Sequence, residues 1–495
     1  MITQSLYVGG RDLQALTLKA YILRMQDKKE EAQETIHYIQ QIDPLDYWSA
    51  AEASLSASQG ASFLKAGTNH NSKGIIAIQE LLEVVNNYMT IGATEDALTL
   101  LNSAISLGEP YASYPLLYYY KAYNLLKSKN SIEFQTCLDK ARSLSPLNNY
   151  PFRIEEIALF KTLLQKRPDD ALLHYHLGNL LYFLGQKESG LEHWLHATET
   201  DPSFAIAARN VGFGYGCLND LEKSIKYYDR AINANPNDPL LLTESDKIYE
   251  QANIPTDQRL KRLESHLKTV MKHDDAVMRL LTLYNAESKY DKSIKILNTR
   301  HFHLWEGGGQ VHDIYADSHI LKGMQFLKRK QYKEAIREFD LANQYPSNLE
   351  VAPSPNGGYE AKIYYLSGIA YEAMKQTDKA KICFEKSADT HFRSHLTDLN
   401  YYKIKSLRKL NRNGEADVAL SDMQKTLERI LRNPTDSYAK FGEANQNVQQ
   451  SNISYYSGLI HLLQNNPSAA KNDFTQALQL YPGNIWAQLM NKDIH

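Results

Sequence analysis

Apolar side chains in this chain recur at three- and four-residue spacing over runs of about a dozen, the signature of one buried helix face. The runs come in pairs, and the pairs repeat. Leu177, Gly178, Leu181, Gly190, Trp194, Ala197 and Pro202 return as Val211, Gly212, Tyr215, Ser224, Tyr228, Ala231 and Pro236, each 34 residues later. Two helical runs per period predict a helix hairpin as the repeating unit. Its small positions, Gly178 and Gly190, mark where the two helices cross too closely for a larger side chain. Leu181 and Trp194 fill the seam beside them. Proline after the second helix cannot continue it and ends it. One hairpin cannot bury its own apolar face, so neighbours must stack.

The same register runs along most of the sequence. It is carried by Ala20, Leu23, Ala32, Ile36 and Pro44, by Tyr88, Ala97, Leu101 and Ala104, and by Ala122, Leu125, Leu138, Ala141 and Pro146. Further on, Gly323, Phe326, Ala335, Phe339 and Ala342 fit, as do Gly368, Tyr371, Ala380 and Phe384, and Gly458, Ala470, Phe474, Ala477 and Pro482. Stretches near 239–272, 274–300 and 397–430 keep helical periodicity but lose the small–large pattern. The period and pattern resemble the tetratricopeptide-repeat superfamily. That resemblance implies an all-α tetratricopeptide-repeat solenoid, a right-handed superhelix of antiparallel helix hairpins, here with two loop insertions. The expected organisation is an N-terminal array over 1–300, an insertion loop over 301–312, and middle repeats over 313–430 carrying a second insertion loop over 347–360. A polar linker over 431–450 and a last repeat over 451–495 follow, with 484–492 as a helix capping the final hairpin.

A narrower likeness lies in RIEEIALFKTLLQKRPDDALLHYHLGNLLYFLGQ, ARNVGFGYG, RHFHLWEGGGQVH and YPSNLEVA, in that order. These resemble the C-terminal repeat region of large bacterial proteins of uncharacterised function, in which a mutarotase-like, sugar-binding β-sandwich precedes the repeats. Here the first repeat helix follows Met1 within about a dozen residues. The resemblance therefore implies either a C-terminal piece or a relative lacking the sandwich.

Charge narrows the partners. With 55 basic against 57 acidic residues the net charge is −2, and no global field favours nucleic acid or an anionic membrane. No apolar run is long enough to span a bilayer, and MITQSLYVGG has neither the basic nor the apolar part of a signal peptide, so a cytoplasmic location is expected. Three scattered cysteines, Cys137, Cys217 and Cys383, make no disulfide framework. Tyrosine, at 33 residues, outnumbers phenylalanine more than twofold; such rings suit half-exposed binding faces and crowded seams alike.

The resemblance places positions 2, 5, 9 and 12 of each first helix on the groove. Tyrosine recurs at position 5, as Tyr119, Tyr175, Tyr365, Tyr401 and Tyr455, giving either a ladder of binding rings or seam packing. Asn179 and Asn210 stand where peptide-binding relatives hold a ligand backbone, with Arg209 adjacent; Tyr175, Leu240 and Glu244 replace the basic residues of a full carboxylate clamp. The insertions supply a second candidate. Leu281 to Gly323 spans 42 residues and Gly323 to Gly368 spans 45, so both exceed the period between a second helix and the next first helix. Both loops should emerge on one edge, bringing His301, His303, Trp305, Glu306, His312, Asn348 and Glu350 beside the flexible Gly307–Gly309 run. Imidazoles, a carboxylate and an aromatic plane suit a sugar ring; otherwise Trp305 plugs a joint. His301 and His303, like His174 and His176, alternate without a placed third ligand, and His193 and His196 share a helix face, so no metal is expected. GFGYG at 212–216 lies inside a helix with no strand before it and is not a nucleotide loop. No catalytic residue and no cofactor is assigned. The expected function is a non-catalytic scaffold binding a protein or peptide through the groove. The alternative is the helical part of a carbohydrate-associated protein with a glycan site on loops 301–312 and 347–360, and self-association is a third role.

Overall fold

The computed structural model describes residues 11–64, 74–127, 131–303, 310–353, 358–391, 396–432 and 446–494. Their regular elements are all helical, without a strand among the described residues. The chain divides into two compact units, 1–214 and 215–495, and each is a stack of helix hairpins. In the first unit, Leu13–Met25 packs on Lys29–Ile42, Ile75–Thr90 on Thr94–Ser106, Pro115–Lys127 on Ser131–Ser143, and Ala171–Phe183 on Lys187–Thr200. In the second, Asp274–Ala286 packs on Tyr290–Thr299, Gln310–Lys328 on Tyr332–Ala342, Glu360–Ala373 on Thr377–Ala388, Asp398–Lys409 on Asn413–Arg432, and Gln446–Leu463 on Pro467–Leu480.

The seams close as the small–large pattern requires. A Cβ placed on Gly178 would lie 2.5 Å from Trp194 Cδ1, and one on Gly190 would lie 2.9 Å from the Gly178 carbonyl. Gly368 meets Phe384 and Gly458 meets Phe474 in the same way, each at 2.5 Å. Only hydrogen fits there, so the aromatic ring of the second helix comes directly against the glycine of the first. Where the turn inside a hairpin is described, it takes one residue into the left-handed region. Gly185 does so freely at φ 84°, whereas Lys330, Lys375, Asn411 and Asn465 do so at φ near 60°. The following amide then returns to the helix end, as Gln186 N to Leu181 O at 2.9 Å and Gln331 N to Phe326 O at 2.9 Å.

Where the pattern fades, ions replace methyl groups. Between Pro239–Gln251, Thr256–Ser265 and Asp274–Ala286, Asp246 accepts from Arg259 at 2.9 Å and from Arg279 at 2.6 Å. Glu250 joins both arginines at 3.1 and 3.0 Å, and Tyr481 donates to it at 2.9 Å. Burial raises both carboxyls, but the two guanidiniums outweigh it and hold them below the usual range.

Several boundaries differ from the sequence expectation. The helix Gln310–Lys328 begins inside the loop expected over 301–312, so part of the extra length is spent on a longer first helix, with Val311 and His312 already buried. The expected linker over 431–450 is flanked by helix, which runs to Arg432 and resumes at Gln446. The final helix, Ile485–Asp493, is N-capped by Asn484, whose Oδ1 accepts from Ala487 N at 3.0 Å. It packs on Pro467–Leu480 and also reaches an earlier part of the same unit. Ile485, Trp486 and Leu489 lie against Tyr290, Ile294 and Leu321. Trp486 places its ring 3.4 Å from the buried Lys362 ammonium and donates to Asp317, while Lys362 also pairs with Asp398.

Candidate functional site

The first helices of three successive hairpins, Glu360–Ala373, Asp398–Lys409 and Gln446–Leu463, line an open pocket of about 320 Å³. Tyr365 and Tyr401 form its walls with Leu462, Leu463 and Asn465, and Lys405, Arg408 and Lys409 supply its charge. Helical spacing puts Tyr401, Lys405 and Arg408 on one face of one helix, four and three residues apart. Lys405 Nζ lies 5.4 Å from the Tyr365 ring centre and 5.3 Å from that of Tyr401, and it donates to the Tyr401 hydroxyl at 3.5 Å. Burial lowers the pKa of this ammonium, and the Lys409 and Arg408 charges lower it further. Arg408 donates to the Leu463 carbonyl at 2.7 Å, and Lys409 pairs with Glu372 at 2.6 Å. Among the described residues no carboxylate pairs with Lys405 or Arg408. The cavity is therefore a half-buried cationic pocket walled by two aromatic rings, able to exchange its two loosely matched cations onto an incoming anion.

The tyrosine ladder is packed more deeply than a row of open rings would be. Tyr119 is 0% exposed, Tyr455 3%, and Tyr175, Tyr365 and Tyr401 6% each. Tyr119 meets Phe160 and His176 edge-on, Tyr175 meets Phe204 at 5.1 Å, and Tyr455 meets Phe474 at 5.9 Å. Of the five, Tyr365 and Tyr401 line the pocket. Lys405 and Arg408 were missed in the sequence, although a basic face with no acid three or four residues away was there to be seen.

In the first unit, Asn179 and Asn210 hold each other. Asn179 Oδ1 accepts from Asn210 Nδ2 at 2.9 Å and from Trp194 Nε1 at 2.8 Å, and Arg209 donates to Asn210 Oδ1 at 3.1 Å. Both amides thus serve the joint between adjacent hairpins. The nearby histidines also satisfy one another: His174 and His193 meet Nδ1 to Nδ1 at 2.8 Å, and His174 bonds the Pro168 carbonyl at 2.9 Å. Burial, then His174, pushes the His193 pKa down to about 4, which keeps that ring neutral.

The two insertions meet. Phe302 N donates to Asn348 O at 2.9 Å, and Asn348 Nδ2 donates to the Leu297 and Arg300 carbonyls, both at 2.7 Å. Phe302 and Leu349 are buried beneath this joint. On its outer side His301 Nε2 lies 2.7 Å from Glu350 Oε1, and His303 Nδ1 lies 3.7 Å from the same oxygen. His312 is elsewhere, stacked on Tyr345 at 3.8 Å and bonded to the Gln344 carbonyl at 3.0 Å. Trp305 and Glu306 lie outside the described residues.

Residues 215–238 and 361–389 match the family described as Tetratricopeptide repeat. Among solved structures the chain is similar to a MamA RS-1 ArsTM double mutant, at 18% identity over 39% of this chain and 92% of that one, with a TM-score of 0.23. It is also similar to YrrB, described as a TPR protein with an unusual peptide-binding site, at 16% identity over 49% and 96%, TM-score 0.19. MamA itself shares 15% identity over 44% and 94%, TM-score 0.18. The chain is an all-α solenoid of tetratricopeptide-type helix pairs, a class defined here by its own 34-residue period and its glycine–aromatic seams. No helix among the described residues is long and apolar enough to cross a membrane.

Proposed function

We propose that this protein is a non-catalytic scaffold that binds a protein partner by an extended peptide segment, and that the pocket of Tyr365, Tyr401, Lys405 and Arg408 takes an acidic group of that segment. The observation that carries this reading is the pair of cations without a carboxylate partner among the described residues, in a cavity walled by tyrosine. A carboxylate entering there relieves the mutual repulsion of Lys405, Arg408 and Lys409. It also makes charge-assisted hydrogen bonds worth about 1.5–3 kcal/mol each. The tyrosine rings give the flanking side chain apolar contact at little entropic cost. The cavity holds one side chain or one chain terminus, so neighbouring helices must supply the rest of the affinity.

Selection of the purified chain against a random-peptide library tests this reading. Enriched peptides should share an Asp, a Glu or a free C-terminal carboxylate at one position, and amidated versions should separate the last case from the first two. Enrichment without any fixed acidic group would refute it.

A further inference from the structure

We propose that His301, His303 and Glu350 form a binding site for one divalent first-row transition-metal ion, with zinc the best match. The site lies on the edge made by the two insertions and is independent of the peptide pocket. One ligand atom from each residue lies within 4.8 Å of the other two. Bonds of about 2.1 Å in a tetrahedron set ligand atoms about 3.4 Å apart. The His303–Glu350 separation of 3.7 Å is close to that already. The His301–Glu350 separation of 2.7 Å must widen by well under the length of a bond, a small rotation for exposed side chains. Two imidazoles and one carboxylate are a donor set that zinc accepts with a position left open to water or another ligand. Magnesium and calcium, which prefer all-oxygen shells, fit it poorly.

The arrangement is built from both loops. Extended backbone turns alternate side chains to opposite sides, so Phe302 points inward and is fully buried while His301 and His303 share the outer side, ring centres 4.7 Å apart. The histidine segment is pinned by Asp274, which accepts from His303 N at 2.9 Å and from Arg300 Nε at 2.7 Å. Glu350 follows the Asn348 staple and takes a left-handed φ of 52°, a conformation that side chains other than glycine rarely adopt. That turn aims its carboxylate across 49 residues of sequence at His301. A simple ion pair needs one imidazole. Here two face one oxygen, the convergence that a shared metal ion requires. Sequence spacing offered these histidines no third ligand; the second insertion supplies it.

Untagged full-length chain, stripped with a chelator and titrated with zinc chloride against a chromophoric chelator, tests the site. The expected result is one ion per chain with a Kd in the micromolar range or tighter, and a zinc-dependent rise in the unfolding midpoint. His301→Ala and Glu350→Gln should each weaken binding at least about tenfold and abolish that rise, with helical circular dichroism unchanged. Failure to bind one equivalent would overturn the proposal. So would binding that survives both substitutions, or binding lost instead on His193→Ala.

Discussion

Gly368→Ala adds one methyl group where two helices close on each other. The new Cβ would lie 2.5, 2.8 and 3.0 Å from Cε1, Cδ1 and Cζ of Phe384. Carbon contacts are comfortable at about 3.5–4.0 Å, so the ring must retreat by about 1 Å. It has little room to do so, being 4% exposed and backed by Tyr365 at 6.0 Å. Overpacking of this kind costs about 1–3 kcal/mol. Replacing a helical glycine returns up to about 1 kcal/mol of backbone entropy, so a net loss of about 0–2 kcal/mol is expected, against a net gain at an open site. Gly414→Ala, in the helix Asn413–Arg432, is the matched control. Its Cβ would meet nothing within 4 Å, so it keeps the entropic gain and should stabilise by up to about 1 kcal/mol. The same chemical change thus carries opposite signs at two sites of one unit. Repeat arrays need not unfold in one step, so urea midpoints should be read together with hydrogen exchange over 360–388. Phe384→Leu in the Gly368→Ala background should recover part of the loss. If Gly368→Ala stabilises as Gly414→Ala does, the seams do not close on glycine and the reasoning fails.

Other consequences concern the final helix and its seat. Burial, above all, pushes the Asp317 carboxyl up to about 7, with Asp398 and Asp313 adding to it and Lys362 and Trp486 opposing; its Oδ1 is buried without a partner. A folded pKa above the unfolded 3.8 means stabilisation that is complete below about pH 4 and lost as pH rises through 7. Asp317→Asn should therefore gain about 1–2 kcal/mol on the native chain between pH 5 and pH 8 in urea titrations. This is less than the full shift would give, because the residue is half-buried; an unchanged pH profile would contradict the assignment. Trp486→Ala removes the ring over Lys362 and the contact with Tyr290, Ile294 and Leu321. It should cost about 3 kcal/mol, at the low end for a large aromatic, and should strip exchange protection from 485–493 while sparing 360–388. Protection retained on the final helix would mean that it is held by Pro467–Leu480 alone.

The hairpins were legible because their signal is local: a glycine and an aromatic sixteen residues apart report one contact within one hairpin, as Gly178 with Trp194 and Gly368 with Phe384. Where a position-5 tyrosine points was not legible. Part of its surroundings comes from the next helices along the chain, and Phe204 against Tyr175 or Phe160 against Tyr119 turns a groove position into a seam. The ion network of Asp246, Glu250, Arg259 and Arg279 explains the loss of pattern near 239–272, since charges fill that seam without the small–large signature. The excess length of the two insertions pointed to His301 and Glu350 sharing an edge, but not to the 2.7 Å pairing itself, and Trp486 with Lys362 has no sequence trace at all. Lys405 and Arg408 stand between these cases: their unbalanced basic face is local, but the cavity in front of it belongs to three hairpins.

The recognition role of that cavity is tested most directly by one substitution. Lys405→Met keeps the alkyl stem between Tyr365 and Tyr401 and removes only the charge. Fluorescence anisotropy of a selected acidic peptide should show a Kd weakened at least about tenfold, the loss of one charge-assisted contact, together with a shallower dependence on salt. An unchanged Kd and salt dependence would mean that the anion is held elsewhere.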